Sequence, residues 1–176
     1  MEPVYESGSR LPCSRKRGKM ENEVKLELLA IPENEGFARV AVAAFITPLN
    51  PTMEEISDVK TAVSEAVTNA VIHAYDEAGG MITIRCSLEG DLLHIEIEDR
   101  GKGIENVKRA MEPLFTTRPD LERSGMGFAF MEAFMDSLEV ESVPGQGTCV
   151  IMEKKLGNLP WVKCAGTVCS WAGSEE

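Results

Sequence analysis

Glu65 and Asn69 are four residues apart in the run Ser64-Glu65-Ala66-Val67-Thr68-Asn69. On a helix that spacing sets a carboxylate and a carboxamide on one row, where they can share a ligand. The carboxylate suits a general base, given a hydroxyl or water within hydrogen-bond reach. The carboxamide oxygen suits Mg²⁺, a hard cation that prefers oxygen. His73 continues the row; it is either a packing or capping histidine or a group set near phosphates. A solvated helix face would also hold a Glu and an Asn, although Asn is a poor mid-helix residue.

Asp99-Arg100-Gly101-Lys102-Gly103 directly follows a strand-like run. Asp99 can accept a hydrogen bond from an exocyclic amine such as adenine's. Gly101 and Gly103 let the backbone approach a flat ligand without a side chain in the way. An ordinary Asp-Gly turn reads the same in isolation. Ser124-Gly125-Met126-Gly127 opens a helix-like segment, and free amides at a helix start make an anion site. Arg123 adds a charge suited to a terminal phosphate. The preceding run, Leu114–Arg123, is long enough for a lid, or it is a surface connection. Neither GxxxxGK with a following Ser or Thr nor a strand–helix GxGxxG is present, so a nucleotide site here belongs to another design.

The elements that must position these groups follow from periodicity. Val24–Ile31 partly alternates and reads as a strand. Asn34–Thr47 carries Phe37, Val40, Ala41, Ala44 and Phe45 at helical spacing, and Pro48 and Pro51 end that helix. Thr52 and Glu55 form a capping-box pattern, after which Ile56, Val59, Val63, Val67, Ala70 and Ala74 repeat on one face. Met81–Leu88 and Leu92–Asp99 alternate and are joined through Glu89-Gly90-Asp91 as a hairpin. Ile104–Met111 fits a short helix, Glu112–Ser124 a long loop and Gly125–Met135 a helix. Leu138–Ser142 and Thr148–Lys154 are the last strands, joined by a Pro144-Gly145-Gln146-Gly147 turn. Short connections make neighbouring strands antiparallel. Helices covering one face of that sheet give an α+β two-layer sandwich.

Composition bounds the function. A hydrophobic fraction of 43% supports a packed core, and no apolar window approaches the length of a spanning helix. No apolar run follows the basic stretch Arg10–Lys19, so a secretory signal is not expected and a cytoplasmic location is. The formal net charge is −11 although residues 1–19 are basic, so the body is strongly acidic. Such a body is repelled by phosphate backbones, which argues against nucleic-acid binding and, with the absence of a spanning window, against a membrane role. Five cysteines include no two-residue spacing of a zinc or redox pair; Cys86 and Cys149 read as small buried hydrophobes. Residues 1–19 read as an extension, 20–156 as the folded domain and 157–176 as a tail, with Met20 a candidate start of the folded unit.

The ordered set of Glu-xxx-Asn, Asp-x-Gly-x-Gly, Gly-x-Gly at a helix start and Gly147-Thr148 entering a strand resembles the GHKL ATPases: gyrase, Hsp90, histidine kinases and MutL. Their nucleotide domain has the Bergerat fold, an α/β sandwich. The runs EGFARVAVAAFITPLNPT, DVKTAVSEAVTNAVIHAY, EPLFTTRPDLERSGMGFAFMEAFMD and PGQGT narrow the likeness to the sporulation anti-sigma factors of the SpoIIAB family, over roughly residues 20–156. The resemblance implies a homodimeric serine kinase and sigma-factor inhibitor. Such a protein binds sigma factor F with ATP bound and phosphorylates a serine of the anti-anti-sigma factor SpoIIAA. It implies Glu65 as general base, Asn69 as Mg²⁺ ligand and Asp99 as the adenine-binding carboxylate. Gly101, Gly103 and Ile104 would line the adenine pocket. Thr116, Thr117, Ser124, Gly125, Met126, Gly127 and Phe128 would form lid and phosphate cradle, and Thr148 would flank the adenine. Arg39 and Arg123 would face SpoIIAA.

Rival readings use the same motifs. A sensor histidine kinase fragment would need an upstream phospho-accepting His, whereas the two histidines here are His73 and His94. A gyrase- or MutL-type mechanical ATPase would need further domains to couple hydrolysis to motion. A related stress-response anti-sigma kinase, or a module that holds ATP without transferring phosphate, stays open.

Overall fold

The computed structural model describes residues 22–75, 79–112 and 125–157. Five strands and four helices alternate along it. Strand β1 (Asn22–Leu29) leads into α1 (Glu33–Phe45), a 3-10 turn at Thr47–Leu49 and α2 (Met53–Asn69). The hairpin of β2 (Met81–Glu89) and β3 (Leu92–Asp99) follows. Then come α3 (Val107–Ala110), α4 (Gly127–Phe134), β4 (Ser137–Val143) and β5 (Gly147–Lys155). All pairings are antiparallel, in the order β1-β2-β3-β5-β4. The last strand thus lies between β3 and β4, which sets Asp99 opposite Thr148.

Alternation assigns each strand's two faces. Ile82, Ile84, Cys86 and Leu88 of β2, Leu93, Ile95 and Ile97 of β3, and Val150 and Met152 of β5 join the helices' buried residues in one core. The intervening positions carry an ionic ladder: Arg85 to Glu98 at 2.9 Å, and His94 to Glu96 and Glu153 at 3.2 Å each. The result is the two-layer α+β sandwich, with helices on one face of the sheet. Cys86 and Cys149 are buried free thiols, and burial pushes the Cys86 thiol up to about 12.

Helix α2 starts where Thr52 and Glu55 close a capping box. The Thr52 hydroxyl accepts from the Glu55 amide at 3.1 Å, and the Glu55 carboxylate accepts from the Thr52 amide at 2.7 Å. Glu55 also accepts from the Gly157 amide at 3.1 Å, tying the segment just after Lys155 to the start of α2. The face running through Val59, Ala62, Val63, Ala66 and Val67 is buried, and each such valine stabilises the fold by about 2 kcal/mol.

Helix α1 departs from its expected orientation. Its buried row is Ala38, Val42 and, just past its end, Ile46. Phe37 and Val40 stay 55% and 56% exposed, and Ala44 is exposed with them. The spacing singled out the outward Phe37, Val40 and Ala44 together with Phe45, which packs half-buried against the core. The expected short helix at 104–111 contracts to α3, because Gly103 and Ile104 are held by the β4–β5 hairpin: Gly145 donates to the Lys102 carbonyl at 2.7 Å and Ile104 donates to Ser142 Oγ at 2.8 Å.

Candidate functional site

After Asn69 the helix widens into a π-type turn, Ala70–Ala74, which carries His73. π-turns inside helices concentrate at functional sites. The turn ends where the Ala74 carbonyl accepts from the Lys102 amide at 2.8 Å. This contact explains Gly101: a Cβ there would fall 2.0 Å from the Ala74 oxygen. Its missing side chain makes room for the helix end rather than for a ligand, and Gly101 does not line the cavity described next.

A cavity of about 450 Å³ opens between α2, α3, α4 and the strands β3 and β5, a size suited to a nucleotide-sized ligand. Asn69 and His73 border it from α2 and its π-turn. Asp99, Gly103 and Ile104 border it from the end of β3, Gly125, Gly127 and Phe128 from the start of α4, and Thr148 from β5. Ala66, Ala70, Ile97 and Val150 supply apolar walls. The clusters singled out in the sequence, far apart along the chain, therefore meet at one opening.

Gly127 shows how tightly they meet. A Cβ on it would lie 3.0 Å from Glu65 Oε2 and 3.4 Å from both Asn69 carboxamide atoms. The carboxylate and the carboxamide thus both approach the backbone at the start of α4 closely enough for one methyl group there to reach each of them. Glu65 is not itself a lining residue; it stands beside the cavity against Gly127. Met126 caps the N-terminus of α4 and does not line the cavity either. Thr116, Thr117, Arg123 and Ser124, with the lid segment, lie outside the described residues. Arg39 is on α1, away from the cavity, 3.4 Å from Glu35.

Asp99 is the deep polar group of the cavity, only 6% exposed. Its Oδ1 accepts from the Gly101 amide at 2.9 Å and the Thr148 amide at 3.3 Å. Burial outweighs these bonds and raises its carboxyl to about 6. Beside it, Ser142 Oγ donates to the Gly147 carbonyl at 2.9 Å and lies 3.0 Å from Thr148 Oγ1. With its proton so used, Ser142 accepts from the Ile104 amide and from the Thr148 hydroxyl, which fixes that hydroxyl next to Asp99.

Several lining residues escaped sequence reasoning: Lys102, Glu105, Asn106, Arg109 and Pro144. The Asn106 side chain caps α3 by accepting from the Arg109 amide at 3.0 Å. An Asn three residues before an Arg was the available signal, but a four-residue helix is too short to show periodicity. Among the described residues, no group of three His, Cys, Asp or Glu side chains could hold a metal. The donor set at the site is instead one carboxamide oxygen on Asn69 beside the Glu65 carboxylate. That fits Mg²⁺ arriving with a nucleotide, whose phosphates and waters supply the other ligands. Likewise among the described residues, no helix is long and apolar enough to cross a membrane.

An antiparallel sheet covered on one face by helices, with a nucleotide-sized cavity bordered by β3, β5 and α2, defines a GHKL-type nucleotide domain. Residues 29–154 match the family described as "Histidine kinase-like ATPase domain". The chain is 60% identical over 136 residues to an anti-sigma F factor of Clostridium acetobutylicum, covering 77% of this chain and 95% of that protein. A second anti-sigma F factor, from Clostridium novyi, is 60% identical over 139 residues, covering 78% and 97%. Among solved structures, the RsbU and RsbW domains of Rv1364c from Mycobacterium tuberculosis superpose with a TM-score of 0.57 at 21% identity. That match takes in 77% of this chain and 32% of the longer one, and it speaks to the fold alone. The chain belongs to the SpoIIAB-type anti-sigma factors of the histidine kinase-like ATPase family.

Proposed function

We propose that this protein is a cytoplasmic anti-sigma factor and ATP-dependent serine kinase of the sporulation pathway. It inhibits sigma factor F and phosphorylates a serine of its anti-anti-sigma partner, SpoIIAA. The observation that carries this reading is the close approach of both Glu65 and Asn69 to Gly127 at the cavity whose floor holds Asp99 and Thr148.

Asp99 accepts from the adenine amine, and Gly103, Ile104 and Thr148 flank the base. Asn69 would hold Mg²⁺, which would draw charge from the phosphates. Glu65 takes the proton from the incoming serine hydroxyl. The serine oxygen then bonds to the γ-phosphorus as the bond from that phosphorus to the β,γ-bridging oxygen breaks, releasing ADP. The amides of Gly125, Met126 and Gly127 stabilise the charge that spreads over the transferred group. Thr116, Thr117, Ser124, Phe128 and Arg123 complete the lid and cradle, His73 stands near the phosphates, and Arg39 with Arg123 meets the partner. A homodimer fits the apolar side chains left outside: Phe37 and Val40 on α1, Leu29 on the sheet edge and Met81 opposite it.

The test is to incubate the purified protein with Mg²⁺, ATP and a candidate anti-anti-sigma protein and to look for phosphoserine on that partner. Transfer supports the kinase reading. Sigma-factor binding with no transfer would leave a module that holds ATP and inhibits by occupancy. No measurable ATP or ADP affinity would remove both.

A further inference from the structure

The seam between α1 and α2 carries a polar bridge that the nucleotide site does not use. The Ser64 hydroxyl of α2 donates to Glu35 Oε1 of α1 in a partly buried setting. Arg39, one turn further along α1, points its guanidinium at the same oxygen from 3.4 Å. The Arg39 side chain is 45% exposed and that of Glu35 is 23% exposed, so the bridge runs from the surface into the seam.

We propose that Glu35 is a positioning residue that, through Ser64, sets the α2 turn bearing Glu65. This rests on the kinase reading above. Ser64 and Glu65 are consecutive, so their side chains leave α2 about 100° apart. Ser64 faces α1, while Glu65 faces the start of α4. The buried residues of the two helices are small and apolar, Ala38 and Val42 on α1 and Val59, Ala62, Val63, Ala66 and Val67 on α2. Such contacts hold two helices together without direction, and they tolerate a small roll of α2 about its axis. A hydrogen bond is directional and fixes the roll. One carboxylate oxygen serves both donors. The Ser64 bond to Glu35 thereby holds the α2 turn that ends at Glu65 in place against Gly127.

The experiment measures kcat and KM for phosphoryl transfer to the partner protein, nucleotide Kd with a fluorescent ATP analogue, and thermal melting, for the wild type, Ser64→Ala, Ser64→Thr and Glu35→Gln. Ser64→Ala lowers kcat about tenfold, with partner KM, nucleotide Kd and melting temperature close to wild type. Ser64→Thr keeps the hydroxyl and returns kcat to within about threefold of wild type. Glu35→Gln keeps an acceptor oxygen but drops the charge, and lowers kcat less than Ser64→Ala does. Wild-type kcat in Ser64→Ala would overturn the proposal. So would a loss of kcat that merely follows a fall in melting temperature and nucleotide affinity. Should Ser64→Ala not fold, wild-type kcat in Glu35→Gln overturns it equally. Absence of transfer by the wild-type protein itself would overturn the kinase reading and this positioning role together, and it is told apart by not depending on any substitution.

Discussion

Gly127 and Glu65 are in such close contact that a methyl group on Gly127 would sit 3.0 Å from the Glu65 carboxylate. Gly127 is also the first residue of α4, where alanine is the better helix former by about 1 kcal/mol. Stability and activity therefore pull in opposite directions at this position. Gly127→Ala is expected to melt at or above the wild-type temperature while kinase kcat falls about tenfold, because a carboxylate displaced by a few tenths of an ångström loses its alignment. Calorimetry and a phosphoryl-transfer assay on the same preparation check both halves.

Glu65→Gln keeps the shape of the side chain and removes the proposed base. Nucleotide affinity should stay within about twofold, and transfer to the partner's serine should drop by roughly 10² to 10⁴. Unchanged transfer in that variant would move the proton acceptor elsewhere.

Asp99 gives nucleotide binding an acid limit. Its carboxyl is raised to about 6 by burial, so at pH 7 it is ionised and able to accept from adenine. Affinity is expected to fall as pH drops below about 6, and Asp99→Asn should weaken binding and flatten that profile. The effect on stability has the opposite sign. The unfolded chain releases this proton near 3.8 and the folded chain near 6, so the ligand-free protein gains from protonation. On this account its stability declines as pH rises from about 4 through 6. Urea titrations at several pH values, with and without nucleotide, separate the two trends.

Lys154 joins three elements outside the site. Its ammonium donates to the Phe134 carbonyl at the end of α4 at 2.6 Å and lies 3.2 Å from the Asp58 carboxylate of α2. Lys154→Met keeps the stem and deletes the charge, leaving the helix end uncapped and the carboxylate without its cation. A loss of about 2 kcal/mol is expected by denaturant unfolding, with nucleotide affinity unaltered. A weaker nucleotide complex would mean that α4 shifts when its C-terminal tether is cut.

The legible parts of the fold were those set by local chemistry. The capping box at Thr52 and Glu55 and the apolar row from Val59 to Val67 marked α2, and alternation marked β2 and β3. The convergence of Asn69, Asp99, Gly127 and Thr148 was readable only because a known motif order carried it; spacing alone left each cluster with an ordinary explanation. Three features were out of reach for physical reasons. The outward row of α1, with Phe37 and Val40, is as apolar as its inward row, and periodicity reports a stripe without saying what covers it. The π-turn at Ala70–Ala74 has helix-forming residues, and it is imposed by the packing of Ala74 against Gly101 and Lys102. Asn106 and Arg109 reach the cavity because the β4–β5 turn holds the preceding loop, a contact between residues some forty positions apart.

The insertion of β5 between β3 and β4 has a consequence for synthesis. The wall opposite Asp99 is Thr148, delivered by β5, which follows the other described strands in sequence. The β2–β3 hairpin and α2 can assemble earlier, but the cavity lacks its β5 wall until residues near 155 have emerged. A nascent chain therefore gains its nucleotide grip in a single late step, when β5 docks, and an arrested chain lacking that strand should remain blind to ATP.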